Sequence, residues 1–308
     1  MRILITGGAG FIGHNLARMA LAKGHEIRVI DDLSTGYADN LDGLDVDFRQ
    51  ASILEEDAVA SAMKGVDSVV HLAALGSVPR SIEHPLRSHH ANATGTLTVL
   101  DQARKADVTH VMCSSSSSVY GINPALPKGE REWTRPMSPY GVSKLATEQY
   151  TLAFQQSYGF DSLAFRFFNV YGPGQRAGHV YAAVIPTWID AMMKGDPVWV
   201  NGDGSNSRDF TYVETVCNVL LDASERRVSH PEPVNLAFGT NTSLLDLIDQ
   251  LTEISGIQPD VRHRDPRPGD VPHSMADNAT LRSLFPDVTA VGLETGLHET
   301  LDWFKGIA

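Results

Sequence analysis

Through the first half of the chain, short apolar runs of strand length alternate with longer amphipathic stretches. The runs fall at Arg2 to Thr6, Glu26 to Ile30, Val46 to Arg49, Ser68 to His71, His110 to Cys113 and Ser162 to Phe167. Between them, apolar positions recur with helical spacing near Phe11 to Lys23, Glu55 to Met63, Leu86 to Lys105 and Pro139 to Tyr158. Gly24 and Gly159 follow two of these stretches, where a left-handed helix cap is expected. Strands alternating with helices predict an α/β fold with a doubly wound parallel sheet covered on both faces. Beyond about Asn169 the pattern loosens into loops rich in Gly, Pro, Asn and Asp. A smaller mixed α/β lobe is expected there, with helices over Ala182 to Lys194, Glu214 to Ala223, Ser243 to Ile254 and Leu293 to Phe304. The division expected is residues 1–168 and 169–308, with room for strands of the second part to return to the main sheet.

Length and composition agree with this picture. At about 150 residues per domain, 308 residues make roughly two domains, and 42% hydrophobic residues plus 26 glycines are enough for a sizeable core. A net charge of −12 offers no basic field to nucleic acid or anionic lipid. No apolar run approaches the ~18 residues that span a bilayer, and the amino terminus is neither a signal peptide nor an anchor. Cys113 and Cys217 are too few for a disulfide framework, so a reduced cytoplasm is the expected compartment. The sequence has no internal repeat, and its one low-complexity tract is Ser114 to Ser118. Its 12 histidines show no metal-binding spacing such as HExxH, so no metal is expected; His84, His89 and His90 read as solvated, and Trp188, Met192 and Met193 as core.

Candidate chemistry begins at Thr6-Gly7-Gly8-Ala9-Gly10-Phe11-Ile12-Gly13, which joins the first strand to the first helix. Glycines at 7, 10 and 13 permit a tight turn, close approach of backbone N–H groups to a pyrophosphate, and packing of helix on strand. Alone, such glycines mark an ordinary turn. Here Asp31 ends the next strand, 18 residues past Gly13, where a carboxylate accepts hydrogen bonds from an adenosine ribose. Asp31 and Asp32 together repel a 2′-phosphate, which favours NAD over NADP.

Tyr140 and Lys144 stand four residues apart, on one face of a helix that begins near Ser138-Pro139. A phenol titrates near 10 in water, so it acts as a base at neutral pH only where positive charge stabilises the phenolate. Lys144 and an oxidised nicotinamide would both supply that charge. The serines after the fifth strand read either as a polar turn or, because carboxyl ends of strands face the ligand crevice, as hydroxyls that meet a sugar.

Seven ordered segments, TGGAGFIG, HLAA at 71–74, SSSVYG, SPYGVSK, RFFNVYGP, NGDGSNSRDF and RPGD, make the chain similar to the extended short-chain dehydrogenase/reductase family of NAD-dependent nucleotide-sugar epimerases and dehydratases. The resemblance implies a Rossmann-type domain, NAD as cofactor, a UDP-sugar substrate, and a homodimer through the helices of residues 86–105 and 139–158. It implies a catalytic triad of Ser116, Tyr140 and Lys144. By the same likeness NAD would be held by Gly7, Gly10, Phe11, Ile12, Gly13, Asp31, Asp32, Ser34, Thr35 and Gly36. Further along, Ser52, Ile53, Leu72, Ala73, Ala74, Asn92 and Phe167 join them, with Tyr140 and Lys144. The sugar nucleotide would be held by Gly76, Ser77, Ser116, Ser117, Ser118, Tyr140, Asn169, Val184, Asn201, Arg208, Arg267, Asp270 and Ser274. Arginine suits a diphosphate because its planar fork makes paired charge-assisted bonds; the alternative for Arg208 and Arg267 is ion pairing with Asp209 or Asp270.

Within that family, dehydratases carry an acidic pair just after the catalytic Ser/Thr. Here those positions are Ser117 and Ser118, which favours 4-epimerisation through a transient 4-ketose. The segments 73–81 and 181–186 are most similar to epimerases of N-acetylated UDP-hexosamines. Ser274, where the family's narrower pockets have tyrosine, leaves room for an acetamido group. The usual acidic contact to adenine is replaced by Ser52. A 4,6- or 5,6-dehydratase sharing the 4-keto intermediate is the second reading, and it would need Cys113, Glu130 or a histidine as acid/base. The third is a non-catalytic nucleotide-binding protein, which the presence of Tyr140 and Lys144 disfavours.

Overall fold

A computed structural model describes residues 1–177, 183–266 and 271–307. Seven strands form one parallel sheet in the order β11-β6-β5-β4-β1-β2-β3: β1 (Arg2–Thr6), β2 (Glu26–Asp31), β3 (Val46–Gln50), β4 (Ser68–His71), β5 (His110–Ser116), β6 (Asp161–Phe167) and β11 (Val234–Leu236). The parallel order with its reversal between β1 and β4 is that of a Rossmann-like doubly wound sheet. Period-two alternation divides the core between its faces. Ile3 and Ile5 of β1 enter one apolar cluster and Leu4 the other, and Val70 and Met112 part from Val69 and Val111 in the same way.

Helices cover both faces. α1 (Phe11–Ala22) follows β1, α2 (Glu56–Met63) follows β3, and α3 (Val78–Glu83), α4 (Pro85–His89) and α5 (Gly95–Lys105) lie between β4 and β5. α6 (Pro139–Tyr158) precedes β6. Ser138 caps it by accepting from Gly141 N at 3.1 Å, Pro139 supplies the fixed φ of the first turn, and Gly159 closes it in the left-handed conformation. These ends were legible in the sequence.

Two features differ from expectation. β5 runs on through Ser114, Ser115 and Ser116 before a short 3-10 turn at Ser117–Val119, so part of the serine tract is strand, paired with β6 through Ser116 and Phe167. The single helix expected over residues 86–105 is interrupted by a wide π turn at His90–Thr94. That turn brings Asn92 inside, where its carbonyl accepts from Thr96 Oγ1 at 2.6 Å and its side chain bonds neighbouring elements.

The rest of the chain forms α7 (Val184–Lys194), α8 (Val213–Arg226), α9 (Leu244–Ser255), α10 (Ala279–Leu284) and α11 (Leu293–Ile307). Three two-stranded pairs accompany them: β7 (Val170–Tyr171) with β10 (Thr211–Tyr212), β9 (Ser207–Arg208) with β12 (Thr242–Ser243), and β8 (Val198–Asn201) with β13 (Val261–Arg264). β11 returns to the main sheet beside β6, and α8 packs against α1. Trp188 and Met192 are buried in this core and Met193 is partly buried against it. Among the described residues no helix is long and apolar enough to cross a membrane.

The turn after β5 depends on Gly121, which has φ +52° and whose added Cβ would sit 1.9 Å from the Arg135 carbonyl oxygen. Strain and steric conflict combine there, so Gly121→Ala is expected to cost about 1–3 kcal/mol. A denaturant melt with an unchanged midpoint would refute this.

Candidate active site

The carboxyl ends of β1, β2, β4 and β5 open into a cleft of about 740 Å³. Its floor is the glycine loop. Gly7 has φ +73°, and a Cβ there would come within 2.7 Å of Ala73 N; a Cβ on Gly13 would lie 2.3 Å from the Gly7 carbonyl. Side chains are therefore excluded where a diphosphate must approach backbone N–H groups, and the loop fits a dinucleotide. Phe11, Ile12, Asp32, Ser34 and Thr35 line the same end of the cleft. Asp31 is 7% exposed and braces the loop, its carboxylate accepting from Ala9 N at 3.0 Å and Leu33 N at 2.8 Å. Burial raises its pKa, and the two backbone bonds oppose that rise. Gly36 packs behind this carboxylate, where a Cβ would be 3.0 Å from Asp31 Oδ2.

Further along, Ser52, Ile53, Leu72, Ala73, Ala74 and Gly76 form the walls. Ser52 Oγ accepts from Leu54 N at 3.2 Å, so the residue at the expected adenine contact also shapes its own turn.

Tyr140 and Lys144 enter the cleft from α6, facing Ser114–Ser118, Phe167 and Asn169. The Tyr140 phenol and the Ser116 hydroxyl line the same part of the cleft; burial raises the phenol's pKa, and the neighbouring Ser116 hydroxyl opposes that rise. Ser116 Oγ also accepts from Ser118 N at 3.1 Å, which fixes its rotamer. Lys144 is 4% exposed and its Nζ donates to the Ser114 carbonyl at 2.7 Å and to Ser114 Oγ at 3.2 Å. Burial pulls its pKa down to about 8, so at neutral pH it is still a cation, as a phenolate requires. His71, beneath the cleft, is pushed down to about 3 by burial with Lys144 as a lesser cause, and stays neutral.

Several expected contacts lie elsewhere. Asn92 does not line the cleft: Oδ1 accepts from Leu75 N at 2.7 Å, and Nδ2 donates to Leu75 O and to Ser143 Oγ, tying the cleft wall to α6. Ser77 caps α3 by accepting from Arg80 N at 3.1 Å. Val184, Asn201 and Arg208 line a second chamber of about 430 Å³, and Asn169, Val170 and Gln175 border both spaces. Arg208 donates to the carbonyls of Ser207 and Pro272. Asp209, offered as its ion-pair partner, spends its carboxylate on Gly239 N, Thr240 N, Thr240 Oγ1 and Ala276 N. Ser274 borders neither space and is stitched to Ser207 by its N–H at 3.1 Å. Arg267 and Asp270 lie outside the described residues, as do Tyr181 and Ala182.

Arg80, Arg87, His90 and Gln175 line the cleft and were not anticipated as site residues. The first three stand on helical turns just past the carboxyl end of β4, which is the signal that could have found them. His90 is the one member of the solvated histidine group that faces the cleft.

The model of the family described as NAD dependent epimerase/dehydratase matches residues 3–237. The chain is 33% identical to a UDP-glucose 4-epimerase of Mycolicibacterium smegmatis, over 99% of each chain. Its structure is similar to a UDP-N-acetylglucosamine 4-epimerase of Methanobrevibacter ruminantium solved in complex with UDP-N-acetylmuramic acid. The two share 34% identity and a TM-score of 0.94, over 100% of this chain and 99% of the other. It is also similar to an NAD-dependent NDP-hexosamine 5,6-dehydratase involved in tunicamycin biosynthesis, with 34% identity and a TM-score of 0.89 over 99% and 98% of the two chains. The matched segment includes the glycine cradle, the serine edge and the Tyr140–Lys144 face of α6. This chain therefore belongs to the NAD-dependent epimerase/dehydratase family, as an extended short-chain dehydrogenase/reductase that takes NAD as its cofactor.

Proposed function

We propose that this protein is a UDP-sugar 4-epimerase that interconverts UDP-N-acetylglucosamine and UDP-N-acetylgalactosamine. The observation that carries the reading is the placement of Tyr140 against Ser116, with Lys144 one turn on and serines, not acids, at 117 and 118. Tyr140 takes the proton of the sugar 4-hydroxyl while Ser116 orients that oxygen, and Lys144 supplies the positive charge that makes the phenol a competent base. NAD held over the glycine cradle would supply the acceptor and donor for the C4 hydride. Epimerisation needs no second acid/base, because Tyr140 gives back the proton it took once the opposite face of the 4-ketose is presented.

A dehydratase needs a further group at C5 or C6, and two of the three candidates do not reach the cleft. Cys113 is buried behind it with its thiol raised to about 11, and Glu130 Oε1 is occupied by Asn235 N at 3.1 Å. The carboxylates lining the cleft among the described residues are Asp31 and Asp32, beside the glycine loop. His90 remains, and it keeps the dehydratase as the second reading alongside the likeness to the 5,6-dehydratase. Support for an acetamido sugar comes from the likeness to the UDP-N-acetylglucosamine epimerase and not from Ser274, which borders neither space; UDP-glucose is the competing substrate. Arg208 and Arg267 are proposed as diphosphate holders, and a second copy of the chain as the partner of the helical stretches 86–105 and 139–158, whose Leu86 and Val142 are 73% and 54% exposed.

Proton NMR of the NAD-loaded protein with UDP-N-acetylglucosamine should show UDP-N-acetylgalactosamine growing to an equilibrium mixture. Turnover of UDP-glucose alone would overturn the acetamido assignment, and an alkene or loss of water would favour dehydration. Tyr140→Phe is expected to retain NAD and lose at least about 10²-fold in kcat; wild-type turnover would remove Tyr140 from its role.

Lys144→Met should separate stability from activity. The folded pKa of about 8 lies below the ordinary 10.5, so the unfolded state holds the proton more tightly and stability rises with pH between these values. At pH 7 the NAD-free variant is therefore expected to be more stable than the parent by up to ~3 kcal/mol, less the lost Ser114 bonds, with the advantage fading toward pH 10. Turnover should vanish. A variant melting below the parent at pH 7 would contradict this. Light scattering should give twice the chain mass for the parent and a lower mass for Leu86→Asp with Val142→Asp.

A further inference from the structure

We propose that Glu148, Arg166 and Tyr120 are positioning residues that join the serine edge of the active site to the segment carrying Ser274, so that the hydroxyl geometry beside Tyr140 and the course of that segment are set together. The inference rests on the epimerase reading above and extends it to residues outside the triad.

Three residues of α6, one turn apart, each face one serine of β5. Tyr140 lines the cleft with Ser116, Lys144 Nζ donates to the Ser114 carbonyl and hydroxyl, and Glu148 Oε2 accepts from Ser115 Oγ at 2.9 Å. Glu148 is fully buried and is gripped by both ends of the Arg166 guanidinium, Nε to Oε2 at 2.8 Å and Nη2 to Oε1 at 2.7 Å. A buried ion pair adds little stability over an apolar pair of the same volume, but its hydrogen bonds admit one register where an apolar contact admits several.

The network continues away from the serines. Arg166 lies over the Tyr120 ring at 4.7 Å and donates to the Glu130 carbonyl at 3.0 Å. Tyr120 Oη donates to Asn235 Oδ1 at 2.7 Å, and Asn235 Nδ2 donates to the carbonyls of Lys128 and Asp277. Lys128 in turn pairs by its backbone with Met275 and Asp277, the residues that follow Ser274. A line of contacts thus runs from Ser115, next to Ser116 on β5, through Glu148, Arg166, Tyr120 and Asn235 to the segment that follows Ser274.

Glu148→Gln leaves Arg166 buried without its partner and puts folding itself at risk, so the test removes single oxygens. Ser115→Ala and Tyr120→Phe are compared with the parent, each loaded with NAD, after melts have shown them folded. Ser115→Ala should loosen Ser116 from Tyr140 and raise the tyrosinate midpoint of Tyr140 by about one unit, read by absorbance against the same variant carrying Tyr140→Phe. Its kcat should fall about 10-fold with KM within about 2-fold. Tyr120→Phe should instead let the 4-ketose escape before hydride returns, so that reduced-nicotinamide absorbance builds up under turnover. Parent-like tyrosinate midpoint, kcat and cofactor absorbance in both folded variants would overturn the proposal. If the parent itself does not epimerise UDP-sugars, the functional reading fails, and the Tyr140 midpoint still decides whether Glu148 and Ser115 position the phenol.

Discussion

Everything at the cofactor end of the cleft depends on the close approach of β1 and β4 at their carboxyl ends, where Gly7 lies against the backbone of Ala73. A buried hydrogen-bond chain holds the two strands at that separation. Thr96 Oγ1 gives its proton to the Asn92 carbonyl at 2.6 Å, so it accepts from His71 Nε2–H at 3.0 Å. The other ring nitrogen then accepts from Thr6 Oγ1 at 2.7 Å, which leaves Thr6 to accept from Ala73 N at 3.2 Å. In this chain His71 is neutral, a state that burial, with Lys144 as a lesser cause, enforces. One imidazole thus fixes the floor on which the glycine loop turns and links it to α5.

The site is electrostatically local. A chain of net charge −12 nevertheless gathers a buried Lys144, cleft-lining Arg80 and Arg87, and Arg208 in the adjoining chamber around spaces that suit two diphosphates. Asp31 and Asp32, on the same cleft, oppose a 2′-phosphate. Whole-chain charge governs encounters with polymers and surfaces, whereas a small ligand meets the field of the few groups that line its pocket. Lys144 carries a burial penalty in the free protein that its proposed catalytic role explains, a common trade between stability and activity.

The proposed catalytic geometry is a matter of registration between one helix and one strand. The 140/144/148 stripe of α6 repeats every turn, and the consecutive serines of β5 lie along it. Asn92, from the π turn, joins the same construction through Ser143, whose hydroxyl donates to the Tyr140 carbonyl at 2.8 Å. Proton transfer demands donor and acceptor within hydrogen-bond reach, so buried polar groups hold the two elements in a single alignment.

The sequence by itself determined the parallel sheet, most strand and helix limits, the glycine cradle with Asp31, and the Tyr140–Lys144 face. Each of these is written in local periods or in residue types that serve one backbone geometry, as Ser138, Pro139 and Gly159 bound α6. Tertiary structure alone decided that Ser114–Ser116 are strand, that Asn92 turns inward, that Arg80, Arg87 and His90 enter the cleft, and that Cys113 and Glu130 do not. Those outcomes depend on which elements pack together across 50 or more residues of chain, as Asn92 does with Ser143. Local propensity cannot specify such contacts, because a buried polar side chain settles wherever its hydrogen bonds are met.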